Sequence, residues 1–304
     1  MHRFILRRLL LIIPMALIVI TLTWGLIRIA PGTFYSAEKK LPAAVEANIK
    51  KKYGLDKPWY TQYGLMMWNV VRGDFGDSLK YEGQSVNEII RRHFPYSATL
   101  GILAYSLALL IGLTAGIIAS LKQNSMFDYG SMSFAMLGLS VPNFVLGPLL
   151  VVVFSLGLFW LPPARWSLAG LVLPVITLAA IYSAYIARLT RAGMLEVMRS
   201  DYIRTARAKG LDEKTVLLRH GIRGGLIPVI SFTGPALAAL LAGTVVVEKI
   251  FAIPGLGKIF IEAVLNRDEP LVLGIVAFLS ILIMVFNLLV DISYGFLDPR
   301  IRYE

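Results

Sequence analysis

Cysteine is absent from the 304 residues, which excludes disulfides, thiolate metal sites and cysteine nucleophiles and says nothing more about redox compartment. Histidine is almost as scarce. His2, His93 and His220 stand far apart, so scattered surface positions are a simpler account of them than a metal site. Charge is thin as well: 16% of residues are charged, against about 25% in soluble domains. No acid pair, Ser-His-Asp set or ligand cluster can be argued from spacing. The chain therefore reads as a non-enzyme, with no catalytic, cofactor-binding or metal-binding residue and no cofactor. One decoy is set aside. The stretch Ala252 to Lys258 resembles a phosphate-binding loop, but that loop needs Gly where Ala252 stands and Ser or Thr where Ile259 stands.

What the chain has in excess is apolar surface. Hydrophobic residues make up 57%, more than a soluble domain of this length can hide, so the surplus must face lipid. A span needs about 20 mostly apolar residues. Six runs qualify: 9–29, 99–121, 133–156, 168–189, 228–247 and 271–289. The first follows Arg3, Arg7 and Arg8. It is longer than the core of a cleaved signal peptide and lacks a small-residue cleavage site, so it reads as an uncleaved span. Pro142, Pro148 and Pro174 lie within spans, where neighbouring helices can satisfy the freed carbonyls. Gly112 and Gly116 either permit close helix approach or are ordinary glycines in an ordinary span.

The formal charge of +11 collects at the ends of apolar runs, which points to membrane topology rather than nucleic acid. Nine Arg and Lys fall in 188–226, against Arg165 alone in 157–167. The positive-inside rule then places both termini in the cytoplasm. Residues 32–95 are richer in polar residues and carry Tyr53, Trp59, Tyr60, Tyr63 and Trp68, with Gly73, Gly76 and Gly83 as punctuation. They read as a small water-exposed domain of short helices and turns.

The spans are poor in ionisable groups. Arg28, Glu248 and Asp291 sit near span ends, where snorkelling or bundle-facing placement is cheap. Ion-coupled carriers keep acids near mid-membrane and often repeat one half of the chain; neither feature is present, so a separate subunit would power transport. In the long basic loop, 196–210 reads as one amphipathic helix with Leu195, Met198, Tyr202 and Ala206 on a shared face. Gly210 suits its left-handed end, and Arg207 and Lys209 suit its negative pole. Such a helix docks into a partner's groove or lies on anionic headgroups; the pattern alone does not separate the two.

At this loop a resemblance enters. Tyr202-Ile203-Arg204-Thr205-Ala206-Arg207-Ala208-Lys209-Gly210-Leu211, then Leu218-Arg219-His220 and Leu226-Ile227-Pro228, resembles the coupling loop of ATP-binding-cassette import permeases, as found in their dipeptide/oligopeptide/nickel branch. Arg7-Arg8-Leu9, Tyr53-Gly54-Leu55-Asp56-Lys57-Pro58, the run Arg72 to Ser78, and Asp298-Pro299-Arg300 match that branch too. So do Glu248, Phe251, Pro254-Gly255-Leu256-Gly257 and Arg267-Asp268. The resemblance covers essentially the whole chain. It departs from the general loop pattern at Arg204-Thr205, where that pattern has Glu-Ala, so no glutamate here can fill the role the pattern is named for.

The resemblance implies an all-α membrane protein with a six-helix, type I importer-like bundle. Its parts are 1–31 (N-terminus and first span), 32–95 (extracytoplasmic domain) and 96–304 (permease core, with the coupling loop at about 190–227). It implies residence in a bacterial or archaeal cytoplasmic membrane, a second homologous permease, two ATPase subunits, an extracytoplasmic binding protein, lipid contact and no nucleic acid. By the same resemblance Tyr202, Arg204, Thr205, Ala206, Arg207, Ala208, Lys209, Gly210 and Leu211 contact the ATPase, Ala206 and Gly210 being small enough for close approach. Glu248, Phe251, Pro254, Gly255, Gly257, Arg267 and Asp268 are candidates for a gate or a docking surface on the opposite side. Peptides are the expected cargo, with nickel, opines, sugars and other small solutes left open. The competing expectation is a self-sufficient channel or ion-coupled carrier.

Overall fold

The computed structural model describes residues 2–29, 54, 56–163 and 165–297. Helix α1 (His2–Ile29) is followed by α2 (Trp59–Val71) and α3 (Val86–Leu121). Then come α4 (Met126–Ser140), α5 (Asn143–Leu150) and α6 (Leu168–Met198). The chain continues with α7 (Asp201–Ala208), α8 (Ile227–Leu241), α9 (Val245–Ile250), α10 (Leu256–Leu265) and α11 (Glu269–Leu297). Among the described residues five helical stretches are long and apolar enough to cross a membrane, and a bent pair makes six when counted as one span.

The expected single span 133–156 is that bent pair. Its two halves, α4 and 143–157, meet at 101°. The cause is Pro142, which lacks an amide hydrogen and pushes Val141 out of the helical region, to φ −95 and ψ 114. Beyond α5 the chain winds through a wide π-helical segment, Val151–Gly157. The pair still traverses the bundle: Asp128 bonds Arg191 near the C-terminal end of α6, whereas 158–167 leads into its N-terminus.

The centre of the bundle is α3 against α6. Gly112 and Gly116 let the backbones close up. A Cβ at Gly112 would sit 2.6 Å from Ile186 Cβ, and one at Gly116 would sit 2.5 Å from Thr190 Cβ. The two glycines are therefore contact residues, as small-residue packing in lipid requires. Around this pair Leu100, Leu173, Leu178, Ile186, Leu240 and Phe251 form the core. Tyr105 donates to Thr233 Oγ1 at 2.7 Å and ties α3 to α8.

Helix α1 is peripheral. It lies along α11 in the opposite sense, clamped at both ends by Arg8–Asp291 (2.6 Å) and Arg28–Glu269 (3.3 Å). So Arg28 and Asp291 face partners rather than snorkel. Of the expected 32–95 domain, residues 32–53 and 55 lie outside the described residues. Residues 86–95 belong to α3, so the second span begins as a helix well before 99. Gly73, Gly76 and Gly83 do mark turns, at φ between 72° and 77°.

Candidate functional site

The basic loop begins where α6 ends. Instead of one helix through 196–210, α6 stops at Met198 and α7 starts at Asp201. Ser200 is extended (φ −72, ψ 156), and its hydroxyl donates to Val197 O at 2.6 Å. A serine so placed offers the backbone an alternative to continued helix. The break rotates the register. Ile203 and Ala206 are buried against Val216, Val197 and Met198, while Tyr202 is 44% exposed, so Tyr202 does not share the face expected for it. Ala206 is turned into its own fold and is not available for close approach by a partner.

The end of α7 is as the glycine predicted. Gly210 takes φ +78, its N–H donates to Arg207 O (2.9 Å), and the Leu211 N–H donates to Ala206 O (3.4 Å). That pair of bonds is a Schellman closure. Arg207 then forks onto Glu213, Nε to Oε1 at 2.6 Å and Nη2 to Oε2 at 3.2 Å, which sets the return of the chain. Asp201, Tyr202, Arg204, Thr205, Arg207, Ala208, Lys209, Gly210 and Leu211 all face solvent. They form one polar, mostly cationic knuckle on a short helix.

Features silent in the sequence hold that knuckle to the bundle. A Cβ on Gly224 would lie 2.8 Å from the Tyr202 hydroxyl, and one on Gly225 would lie 2.4 Å from Met194 Sδ. The return segment thus presses directly on α6 and α7. The base of α6 is tied elsewhere by a bidentate pair. Arg191 Nε and Nη2 each reach Asp128 at 2.7 Å, and the carboxylate also accepts from Asn124 N at 3.0 Å. Arg199 Nη2 donates to Gln123 Oε1 at 2.9 Å. The one signal for Asp128 was Ser125 three residues before it, the spacing of a helix N-terminal capping box.

At the other end of the bundle Glu248 is wholly buried on α9. Its Oε1 accepts from Ser97 Oγ at 2.7 Å and its Oε2 from Lys258 N at 3.0 Å. Ser97 Oγ accepts in turn from Leu256 N at 2.8 Å, and His93 Nδ1 meets Pro254 O at 2.8 Å. The glycines here are a cradle for the carboxylate: a Cβ on Gly255 would lie 2.3 Å from Glu248 Cδ. Between them Ala252 is held at φ +51, a left-handed turn closed by Ile253 N to Glu248 O at 2.8 Å.

Asp268 is the companion knot. It is fully buried and accepts from Ser78 Oγ, from Leu79 N at 3.1 Å, from Lys80 N at 3.2 Å and from Leu271 N at 3.3 Å. One carboxylate therefore caps α11 and pins the 78–81 turn to it. Beside it the Tyr81 hydroxyl donates to Glu262 at 3.0 Å; burial, then the Glu262 contact, push the Tyr81 phenol up to about 12. Glu248, Phe251 and Asp268 are hidden from solvent, and Arg267 sits at φ +55 at the turn into α11. The residues that the sequence put in one group thus fall in two separate knots, and the roles of Ser97, Ser78 and His93 were not foreseen, because their partners lie far away in sequence.

The comparisons agree with this architecture. Residues 112–303 match the family described as binding-protein-dependent transport system inner membrane component. The oligopeptide transport system permease protein OppB of Haemophilus influenzae is 45% identical over 306 residues, covering all of both chains. The same is true of OppB of Escherichia coli K12. The dipeptide transport system permease protein DppB of Bacillus subtilis is 42% identical, over 99% of this chain and 98% of its own. Among solved structures, an amino acid ABC transporter crystallised with histidines matches with TM-score 0.54 at 19% identity, over 69% of this chain and 94% of that one; it shares the fold. Five or six apolar spans, the match over residues 112–303 and end-to-end similarity to permeases lead to one assignment: this chain belongs to the binding-protein-dependent transport system inner membrane component family.

Proposed function

We propose that the chain is one of two permease subunits of an ATP-driven peptide importer. The observation that carries this reading is alignment from end to end, at 45% identity, with an oligopeptide permease. The exposed knuckle at the foot of the central helix pair is its physical counterpart. In this reading the Arg- and Lys-rich side faces the cytoplasm. Each permease offers one α7 to an ATPase subunit, through Tyr202, Arg204, Thr205, Arg207, Ala208, Lys209, Gly210 and Leu211. Ala206 supports that surface from beneath. Closure of the ATPase pair displaces α7, and α6, fastened at Arg191 and Arg199, carries the displacement into the bundle.

On the far side a binding protein delivers cargo. There Glu248, Gly255 and Gly257 shape one loop, with Phe251 and Pro254 in it, and Arg267 and Asp268 set the neighbouring turn into α11. The exposed Val264 and Leu265 next to them supply contact. The test is affinity isolation of the tagged chain from its own membrane, paired with uptake of labelled di- and oligopeptides. Co-isolation of two ATPases and a second permease, with peptide uptake that stops when ATP is withdrawn, is the expected result. Isolation of the chain alone, still passing solute without ATP, would overturn it in favour of a channel or carrier.

A further inference from the structure

Helix α2 contains 13 residues, WYTQYGLMMWNVV, and no charge. None of them is buried, although most are large and apolar. Trp59 is 66% exposed, Tyr60 62%, Trp68 54% and Val71 72%. Tyr60, Gly64, Trp68 and Val71 recur at helical spacing and form one stripe facing away from the protein. Gln62 and Met66 turn the other way, toward a cavity of about 370 Å³ also lined by Arg28, Lys57 and Glu269. The helix thus leaves most of its aromatic surface outside, while its inner side, with Gln62, Met66 and Val70, closes a cavity whose charged groups come from Arg28, Lys57 and Glu269.

Its position matches. Gln62 bonds the Arg28 guanidinium, and the Tyr63 hydroxyl bonds Thr21 Oγ1 at 2.7 Å while its ring packs edge-on against Trp24 at 5.3 Å. Thr21 lies seven residues before Arg28 on α1, so Tyr63 reaches roughly 10 Å below the Arg28 level. Between those levels α1 leaves Leu22 and Leu26 uncovered, 61% and 67% exposed. The α2 stripe adds further uncovered apolar surface at this end of the bundle. Charged residues return only at the flanks, Asp56 and Lys57 before the helix and Arg72 and Asp74 after it, with Arg72 4.4 Å over the Trp68 ring. Uncharged aromatic surface between charged flanks is the chemistry of the membrane interface.

We infer that α2 is embedded in the bilayer leaflet at the Ile29 end of α1, with Tyr60, Gly64, Trp68 and Val71 against lipid. The occupant of this face is phospholipid, at the level where headgroups give way to acyl chains. The residues 59–71 then leave the water-exposed domain expected from sequence and become a membrane collar around α1. This holds whatever the cargo, because it rests only on the chain's crossing a bilayer.

The absence of native cysteine permits a clean test. A nitroxide is attached at Gly64→Cys, where a Cβ meets nothing within 4 Å, and separately at Val71→Cys. The labelled chain is purified with its bound partners and returned to phospholipid bilayers. Collision with dissolved oxygen and with a water-soluble nickel chelate is then measured. Leu22→Cys on α1 is the lipid reference and Lys80→Cys in the exposed turn is the water reference. The expected result is an oxygen-to-nickel collision ratio at 64 and 71 shifted to the Leu22 side. A ratio like that of Lys80 would overturn the inference by placing α2 in water. Shielding from both reagents would also overturn it, by showing a protein partner on this face.

Discussion

The loop around Glu248 and Asp268 and the α7 knuckle, at opposite ends of the bundle, handle charge in opposite ways. At the Ile29 end Glu248 and Asp268 are completely buried, and backbone amides and serine hydroxyls fill their acceptor sites. At the other end the polar side chains of α7 stand in solvent; Arg204 and Asp201, for example, pair at 3.4 Å while 73% and 97% exposed. A sealed carboxylate with several donors fixes a loop, because losing any one bond strands a buried group. An exposed pair fixes almost nothing and stays free to meet a new partner. One end is built to hold its shape and the other to be gripped.

The largest effect that would break this contrast is expected from Glu248→Ala. It strands Ser97 Oγ and the Lys258 amide, at about 1–3 kcal/mol for each buried group, and should lower the thermal midpoint of the detergent-solubilised protein clearly. An unchanged midpoint would mean that the loop 249–258 does not depend on its carboxylate. Asp128→Ala comes next. Arg191 keeps 28% exposure, so the loss is discounted from the fully buried case to about 2 kcal/mol. The same variant should weaken peptide-stimulated ATP hydrolysis if α6 transmits motion; a stability loss with coupling intact would leave the pair a purely structural clamp.

Gly210→Val forces a β-branched residue to φ +78 and should cost about 1–2 kcal/mol. Its more telling readout is uptake lost while basal ATP hydrolysis continues. Normal uptake would remove α7 from the coupling role. The smallest effect concerns Tyr81, held up to about 12 by burial and by Glu262. Because the folded value is raised, the neutral phenol is the stabilising form. Its contribution is complete below the usual value of about 10 and fades as pH climbs through about 12. The alkaline difference spectrum between the protein and Tyr81→Phe should show one phenol ionising near the upper value; ionisation near 10 would mean that Tyr81 is neither buried nor bonded to Glu262.

Much of the fold was legible because apolar runs of span length have few other solutions. The left-handed Gly210 was legible because glycine after a helix carries a local conformational signal. The break at Arg199–Ser200 was not: Met198, Ile203 and Ala206 fit an unbroken helical pattern nearly as well, and only the burial of Val216 against Ile203 chooses between them. The bend at Pro142 was signalled, yet proline inside a span is tolerated too often to force the reading. The Glu248 and Asp268 knots were found as residues but not as knots. Their donors come from backbone amides and from serines up to 190 positions away, which no local pattern encodes.

The tight packing of Gly112 and Gly116 on α6 has a mechanical meaning. With backbones this close, α3 and α6 cannot slide past each other without collision, so they turn as a single strut. α6 has 31 residues and spans roughly 46 Å. A tilt of roughly 10° about its middle swings each end through roughly 4 Å. Because the strut is stiff, gearing between the two mouths of the pathway is close to one to one, and the direction of throw at the far mouth is opposite to the push at the near one.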